Sequence, residues 1–204
     1  MAKDIYPDFH RLLHRKDKEK RLHQHAKVIW MTGLSGAGKT TLARELEREL
    51  SRKGFLIRVL DGDNIRTGIN KDLKFSPADR HENIRRVAEV SKLFLDCGII
   101  CINSFISPTK ALREMAKTIV GSGDFIEIYV NAPLEVCEKR DVKGLYKKAR
   151  AGLLRQFTGI DAPFEPPENP DMEVRTDQLT VEATVKKCLD FILPQITFSQ
   201  EEGL

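Results

Sequence analysis

Residues 28–41 read Val-Ile-Trp-Met-Thr-Gly-Leu-Ser-Gly-Ala-Gly-Lys-Thr-Thr, an apolar run that passes straight into a glycine-rich turn ending in Lys39-Thr40. The spacing G-x-x-x-x-G-K-[ST] from Gly33 to Thr40 is that of a P-loop. Gly33, Gly36 and Gly38 let the backbone turn tightly and aim its N–H groups inward. Those donors, with the positive end of a following helix, make a cradle for polyphosphate. Lys39 is placed to reach the β- and γ-phosphates, and the Thr40 hydroxyl to ligate Mg²⁺. Leu42, Ala43, Leu46 and Leu50 recur at helical spacing directly afterwards, supplying the strand–loop–helix context the motif needs. Gly33, Leu34, Ser35, Gly36, Ala37, Gly38, Lys39, Thr40 and Thr41 are therefore the expected triphosphate site. Nothing in them says what receives the phosphate.

The rest of the chain repeats the alternation. Candidate strands lie at Val28–Thr32, Phe55–Leu60, Gly98–Asn103, Phe125–Val130 and Met172–Arg175. Helical patterns follow at Lys39–Arg52, Asp79–Asp96, Pro108–Val120, Pro133–Arg140 and Thr180–Leu193. Short, nearly continuous apolar strands separated by amphipathic helices predict a parallel sheet covered on both faces. Right-handed crossovers make this a three-layer α/β/α P-loop NTPase fold, with ligands at the carboxyl ends of the strands. The 204 residues divide into a helical appendage at 1–26, a kinase-like domain at 27–198 and a short tail at 199–204. In the appendage Leu12, Leu13 and Leu22 are the expected docking contacts. It also holds His10, His14, His23 and His25, without neighbours that would complete a metal-ligand set. Residues 141–171 break the rhythm with Gly144, Gly152, Gly159, Pro163, Pro166, Pro167 and Pro170. So long a stretch without a strand is expected to be a mobile lid.

Several classes are excluded. No apolar run approaches the ~20 residues of a membrane span, and the N-terminus lacks an apolar signal region, so a cytoplasmic protein is expected. A net charge of +4 and the lack of any nucleic-acid-binding module argue against a nucleic-acid partner. Cys97, Cys101, Cys137 and Cys188 form no C-x-x-C pair and read as core thiols. Local basic clusters matter more: Arg80, Arg85 and Arg86, then Lys139 through Arg155, the second expected to meet an anionic small molecule.

The second strand delivers Asp61-Gly62-Asp63-Asn64-Ile65-Arg66 at its carboxyl end. Asp61 or Asp63 can hold Mg²⁺ through water or accept the proton of an attacking hydroxyl; Asp-Gly is also ordinary turn chemistry. Ser76-Pro77 opens a helix whose Arg80 and Asn83 share a face, a guanidinium fork beside an amide. Phe75 either stacks on a purine or packs in the core. Ser107, before Pro108, reads as a helix N-cap that also faces the ligand edge.

Gly33–Thr41, Asp61–Arg66, Phe75–Arg86 and Ser104–Pro108 together resemble the adenylylsulfate kinase family. The block Asp141-Val142-Lys143-Gly144-Leu145-Tyr146-Lys147-Lys148-Ala149-Arg150-Ala151-Gly152 and Phe157-Thr158-Gly159-Ile160-Asp161 extend the match. The resemblance implies transfer of phosphate from ATP, with Mg²⁺, to the 3′-hydroxyl of adenosine 5′-phosphosulfate. It implies that Phe75 and Phe157 sandwich the acceptor adenine, and that Arg66, Arg80 and Asn83 grip the phosphosulfate and ribose. Ile106 and Ser107 line that pocket, Lys143 and Leu145 come from the lid, and Arg140 lies against the ATP adenine. Lys39, Asp61, Asp63 and Ser107 form the implied catalytic set, with Thr40 and Asp61 on the metal. Family accounts also place a phosphoserine at Ser107, although a P-loop and Mg²⁺ suffice for direct in-line transfer. Implied partners are a second copy of the chain and an ATP sulfurylase. Thr109, Lys74 and Leu153–Gln156 depart from the family pattern. Two rivals use the same features: another small-metabolite kinase, and an idle nucleotide-binding regulatory domain.

Overall fold

A computed structural model describes Tyr6, Asp8 and residues 11–198. Its elements are α1 (Arg15–Leu22), β1 (Val28–Thr32), α2 (Lys39–Arg52), β2 (Ile57–Asp61), α3 (Gly62–Arg66), α4 (Pro77–Asp96) and β3 (Ile100–Ser104). Then come α5 (Lys110–Val120), β4 (Phe125–Asn131), α6 (Leu134–Arg140), α7 (Leu145–Arg150), β5 (Met172–Arg175) and α8 (Val181–Ile196). All strand pairs are parallel, in the order β2-β3-β1-β4-β5. β1 lies in the middle, and the chain leaves it first toward β2 and β3 and then crosses to β4. That reversal opens a crevice at the carboxyl ends, where the P-loop begins.

The period-2 alternation of β1 divides the core. Ile29 and Met31 pack with Leu42, Leu46 and Leu50 of α2 and with Val185, Leu189 and Ile192 of α8. Val28 and Trp30 pack on the opposite face with Ile84 and Val87 of α4 and with Leu112 and Ala116 of α5. Full burial of each large side chain contributes about 1.5–3 kcal/mol, so the sheet is held from both sides. The three-layer architecture follows.

Local rules place most helix ends. Ser76 caps α4, its hydroxyl accepting from the Asp79 N–H, with Pro77 at the first position. Thr180 does the same for α8. The N-cap expected at Ser107 belongs to Thr109, whose hydroxyl accepts from the Leu112 N–H, and α5 starts at Lys110. Thr109 thus has a structural role. Residues 141–171 contain no named strand, but they do carry α7, capped by the Asp141 carboxylate through the Tyr146 and Lys147 N–H groups.

The appendage docks differently from expectation. Leu12 and Leu13 are exposed, and only Leu22 of the expected trio reaches the body, near Gly98. The anchor is polar. Gln24 is fully buried, donating to the carbonyls of Leu56 and Gly98 and accepting from the Leu56 N–H. Glu19 accepts from the Ala26 N–H and from Arg15. His10 and residues 199–204 lie outside the described residues.

Candidate active site

Along the carboxyl edge of the sheet runs a cavity of about 860 Å³. One wall is the P-loop. Gly33 has φ +147°, and a Cβ there would stand 2.3 Å from the Val130 carbonyl oxygen, so β4 passes too close for any other residue. Ser35, Gly36, Gly38, Lys39, Thr40 and Thr41 face the cavity. Gly33 and Leu34 instead offer carbonyls to the Lys39 ammonium, at 2.9 and 2.8 Å, and Ala37 is fully buried behind the loop. Burial pushes the Lys39 pKa down to about 8. Tyr146 of α7 ties the loop from the far side, its hydroxyl donating to the Ser35 carbonyl at 2.9 Å.

β2 and α3 supply the acids. Asp61 is both a turn residue and a site residue. One carboxylate oxygen caps α3 through the Asp63 N–H, and the other accepts from Thr40 Oγ1 at 2.8 Å. Ser104 Oγ is 3.4 Å from the same threonine hydroxyl. This set of hydroxyl and carboxylate oxygens at a strand end is hard-donor chemistry, the kind Mg²⁺ takes while keeping most of its waters. Asp63 is exposed toward the cavity and pairs with Lys143 from the 141–171 segment.

The opposite wall comes from α3, α4 and the β3–α5 turn. Arg66, Phe75, Arg80, Asn83, Ile106 and Ser107 all line it. Phe75 is 54% exposed, which rules out the core-packing alternative. The Arg66 guanidinium sits 4.5 Å from its ring centroid, and burial lowers the pKa of both Arg66 and Arg80. Phe157 is buried edge-on against Tyr146, 4.9 Å between centroids, with its ring still on the cavity. Arg80 also bridges outward, donating to the carbonyls of Phe75 and Gln156 and to Thr158 Oγ1. Arg85 and Arg86 do not share its role: Glu82 pairs with both and Asp72 with Arg86, leaving a solvated helix face.

The 139–155 basic cluster also divides. Arg140, Lys143 and Arg155 line the cavity with Leu145, whereas Arg150 pairs with Glu138. Arg140 donates to the Gly36 carbonyl and to Thr176, which itself donates to the Ala37 carbonyl at 2.8 Å. Thr176 carries no motif and sequence reasoning missed it. Asn70 was missed as well. It is fully buried and donates to Asn83 Oδ1 at 3.0 Å, which leaves the Asn83 NH₂ to face the cavity. A buried polar pair cannot be read from a turn sequence.

The family model for adenylylsulphate kinase matches residues 25–175. The chain belongs to the adenylylsulphate kinase family. A relative in Bacteroides thetaiotaomicron named adenylyl-sulfate kinase is 59% identical over 192 residues, covering 94% of this chain and 96% of its own. The family resemblance extends to solved structures. That of the Mycobacterium tuberculosis APS kinase CysC in complex with AMPPNP and APS superposes with a TM-score of 0.80 at 43% identity. The match covers 83% of this chain and 98% of that one. A hexameric APS kinase from Thiobacillus denitrificans is 27% identical with a TM-score of 0.64, covering 85% of this chain and 30% of its own.

Proposed function

We propose that this adenylylsulphate kinase family member transfers the γ-phosphoryl group of ATP to the 3′-hydroxyl of adenosine 5′-phosphosulfate, giving ADP and 3′-phosphoadenosine 5′-phosphosulfate. The observation that carries the reading is one continuous cavity, with a phosphate cradle on one wall, an arginine, aromatic and amide wall opposite, and Asp63 between them. Gly33–Thr41 hold the triphosphate, Lys39 neutralises charge on the transferring group, and Arg140 flanks the donor adenine. Asp63 accepts a hydrogen bond from the 3′-hydroxyl and aligns it, Lys143 being the lid residue that carboxylate exchanges. Arg66, Arg80, Asn83, Ile106, Ser107 and Leu145 bind the phosphosulfate and ribose, with the acceptor adenine between Phe75 and Phe157. When bound, Mg²⁺ would offset phosphate charge, held through Thr40 and Asp61.

Transfer is direct. Ser107 is buried at the cavity wall, and its hydroxyl oxygen accepts from Trp30 Nε1 at 3.0 Å, an indole that takes no proton. A serine set this way is a hydrogen-bond donor to the acceptor nucleotide, not a nucleophile awaiting a base.

ADP release measured with adenosine 5′-phosphosulfate against a panel of hydroxyl acceptors tests the reading. Selective turnover with the sulfated nucleotide is expected, and equal rates across the panel would sink it. Two partner proposals accompany it: a homodimer, tested by light scattering, and an ATP sulfurylase, tested by co-elution of the two purified proteins. Among the described residues no helix is long and apolar enough to cross a membrane, and a cytoplasmic location is part of the proposal.

A further inference from the structure

Ser107 is a non-glycine residue with a left-handed φ of +37°. An L-residue stays in that region only where its surroundings over-determine it. Three separate elements do so. From β1, Trp30 Nε1 donates to Ser107 Oγ at 3.0 Å and Thr32 Oγ1 donates to the Ile106 carbonyl at 2.7 Å. From α5, Arg113 Nη1 donates to the Ser107 carbonyl at 3.0 Å. From β4, Glu127 places Oε1 2.9 Å from Arg113 Nε, and it pairs in register with Trp30 on the neighbouring strand. Arg113 is only 4% exposed.

Such a buried cation is costly, and its partner makes the cost plain. Glu127 Oε1 is buried with no hydrogen bond in line, so the contact with Arg113 is an ion pair without aligned geometry. Apolar residues would pack this position more favourably if stability alone were the criterion. The guanidinium instead reaches one cavity-lining turn and fixes its carbonyl.

We propose that Arg113, oriented by Glu127, is a positioning residue for the acceptor half of the active site: it holds the Ile106–Ser107 turn so that the Ser107 hydroxyl donates into the cavity. The proposal rests on the acceptor reading of that wall. Arg113 touches no substrate. Its influence passes through one carbonyl, so it acts on acceptor binding and alignment and leaves the P-loop wall alone.

The test compares the wild type with an Arg113→Met/Glu127→Gln double variant, which leaves no unpaired buried charge, and with Arg113→Lys. A lysine ammonium can serve Glu127 or the Ser107 carbonyl but cannot fork to both. Steady-state kinetics with ATP and adenosine 5′-phosphosulfate are read beside thermal melts. The expected result for folded double variant is a KM for the sulfated nucleotide raised by about tenfold or more, with KM for ATP unchanged. Arg113→Lys is expected to show the same selective rise at smaller amplitude. An unchanged acceptor KM in either folded variant overturns the proposal, and so does an equal rise in both KM values, which marks a general structural role. Wild-type protein that does not turn over the sulfated nucleotide overturns the activity reading itself, a result distinguishable because it precedes any variant.

Discussion

Lys39 holds its charge where water scarcely reaches, with the Gly33 and Leu34 carbonyls as hydrogen-bond acceptors. Burial lowers its pKa from 10.5 to about 8. The depressed value disfavours the charged folded form, so the cost is full below about pH 8, where the lysine is protonated both folded and unfolded. Between about 8 and 10.5 the unfolded chain holds more protons, and this term makes stability rise with pH. At about 1.4 kcal/mol per pKa unit the penalty is about 3 kcal/mol. Lys39→Met is therefore expected to melt no lower than wild type at pH 7 while losing about 10²-fold or more in turnover. A circular-dichroism melt and an ADP-release assay check the two halves. Triphosphate binding restores the charged form, so titration calorimetry at pH 8.5 in buffers of different ionisation enthalpy is expected to register proton uptake. Heats independent of buffer would contradict that account.

Elements dock here by buried polar contacts as well as by apolar faces. α1 carries little apolar surface, and the segment after it is fastened by Gln24 to the backbone of the β2 and β3 lead-in segments at Leu56 and Gly98. Gln24→Ala leaves the Gly98 carbonyl and the Leu56 N–H without their partner in a buried place, at about 1–3 kcal/mol each in the worst case, while the Leu56 carbonyl keeps the Ile100 N–H. A clear drop in melting temperature with unchanged KM values is expected, since Gln24 lies away from the cavity. A variant that melts like the wild type would show that Gln24 does not fasten the appendage to the domain.

Across the whole molecule the cavity is closed by contacts from far along the chain. Arg80 of α4 holds Gln156 and Thr158, and the Lys110 N–H at the start of α5 donates to Glu165 at 2.6 Å. The Lys143–Asp63 pair is more than half exposed on both sides and contributes little by itself. Arg80 is therefore the stronger tether of the proposed lid. Trypsin is expected to cut the exposed Lys147, Lys148, Arg150 and Arg155 faster in Arg80→Ala than in wild type. Adding a non-hydrolysable ATP analogue with adenosine 5′-phosphosulfate is expected to protect wild type. Identical cleavage rates in all three samples would remove Arg80 from lid control.

The strand order of the chemistry was already in the sequence: a P-loop after β1, acids after β2, a serine turn after β3. These features are legible because each is fixed by short-range rules, glycines where the backbone must turn, apolar runs where a strand is buried on both faces, a Ser-Pro pair where a helix begins. Asp61 and Asp63 were placed by the same logic. Three things were decided only by the tertiary structure. Ser107 has the residue type of an N-cap, but Trp30, Thr32 and Arg113 hold it in a left-handed conformation, and Thr109 takes the cap. Leu12 and Leu13 have the composition of a docking face yet stay exposed, while a buried glutamine makes the joint. Tyr146 and Thr176 brace a P-loop more than 100 residues before them. Periodicity and motifs report what a residue does to its neighbours in the chain. Hydrogen bonds between distant elements depend on how the layers stack, and only packing brings those donors and acceptors together.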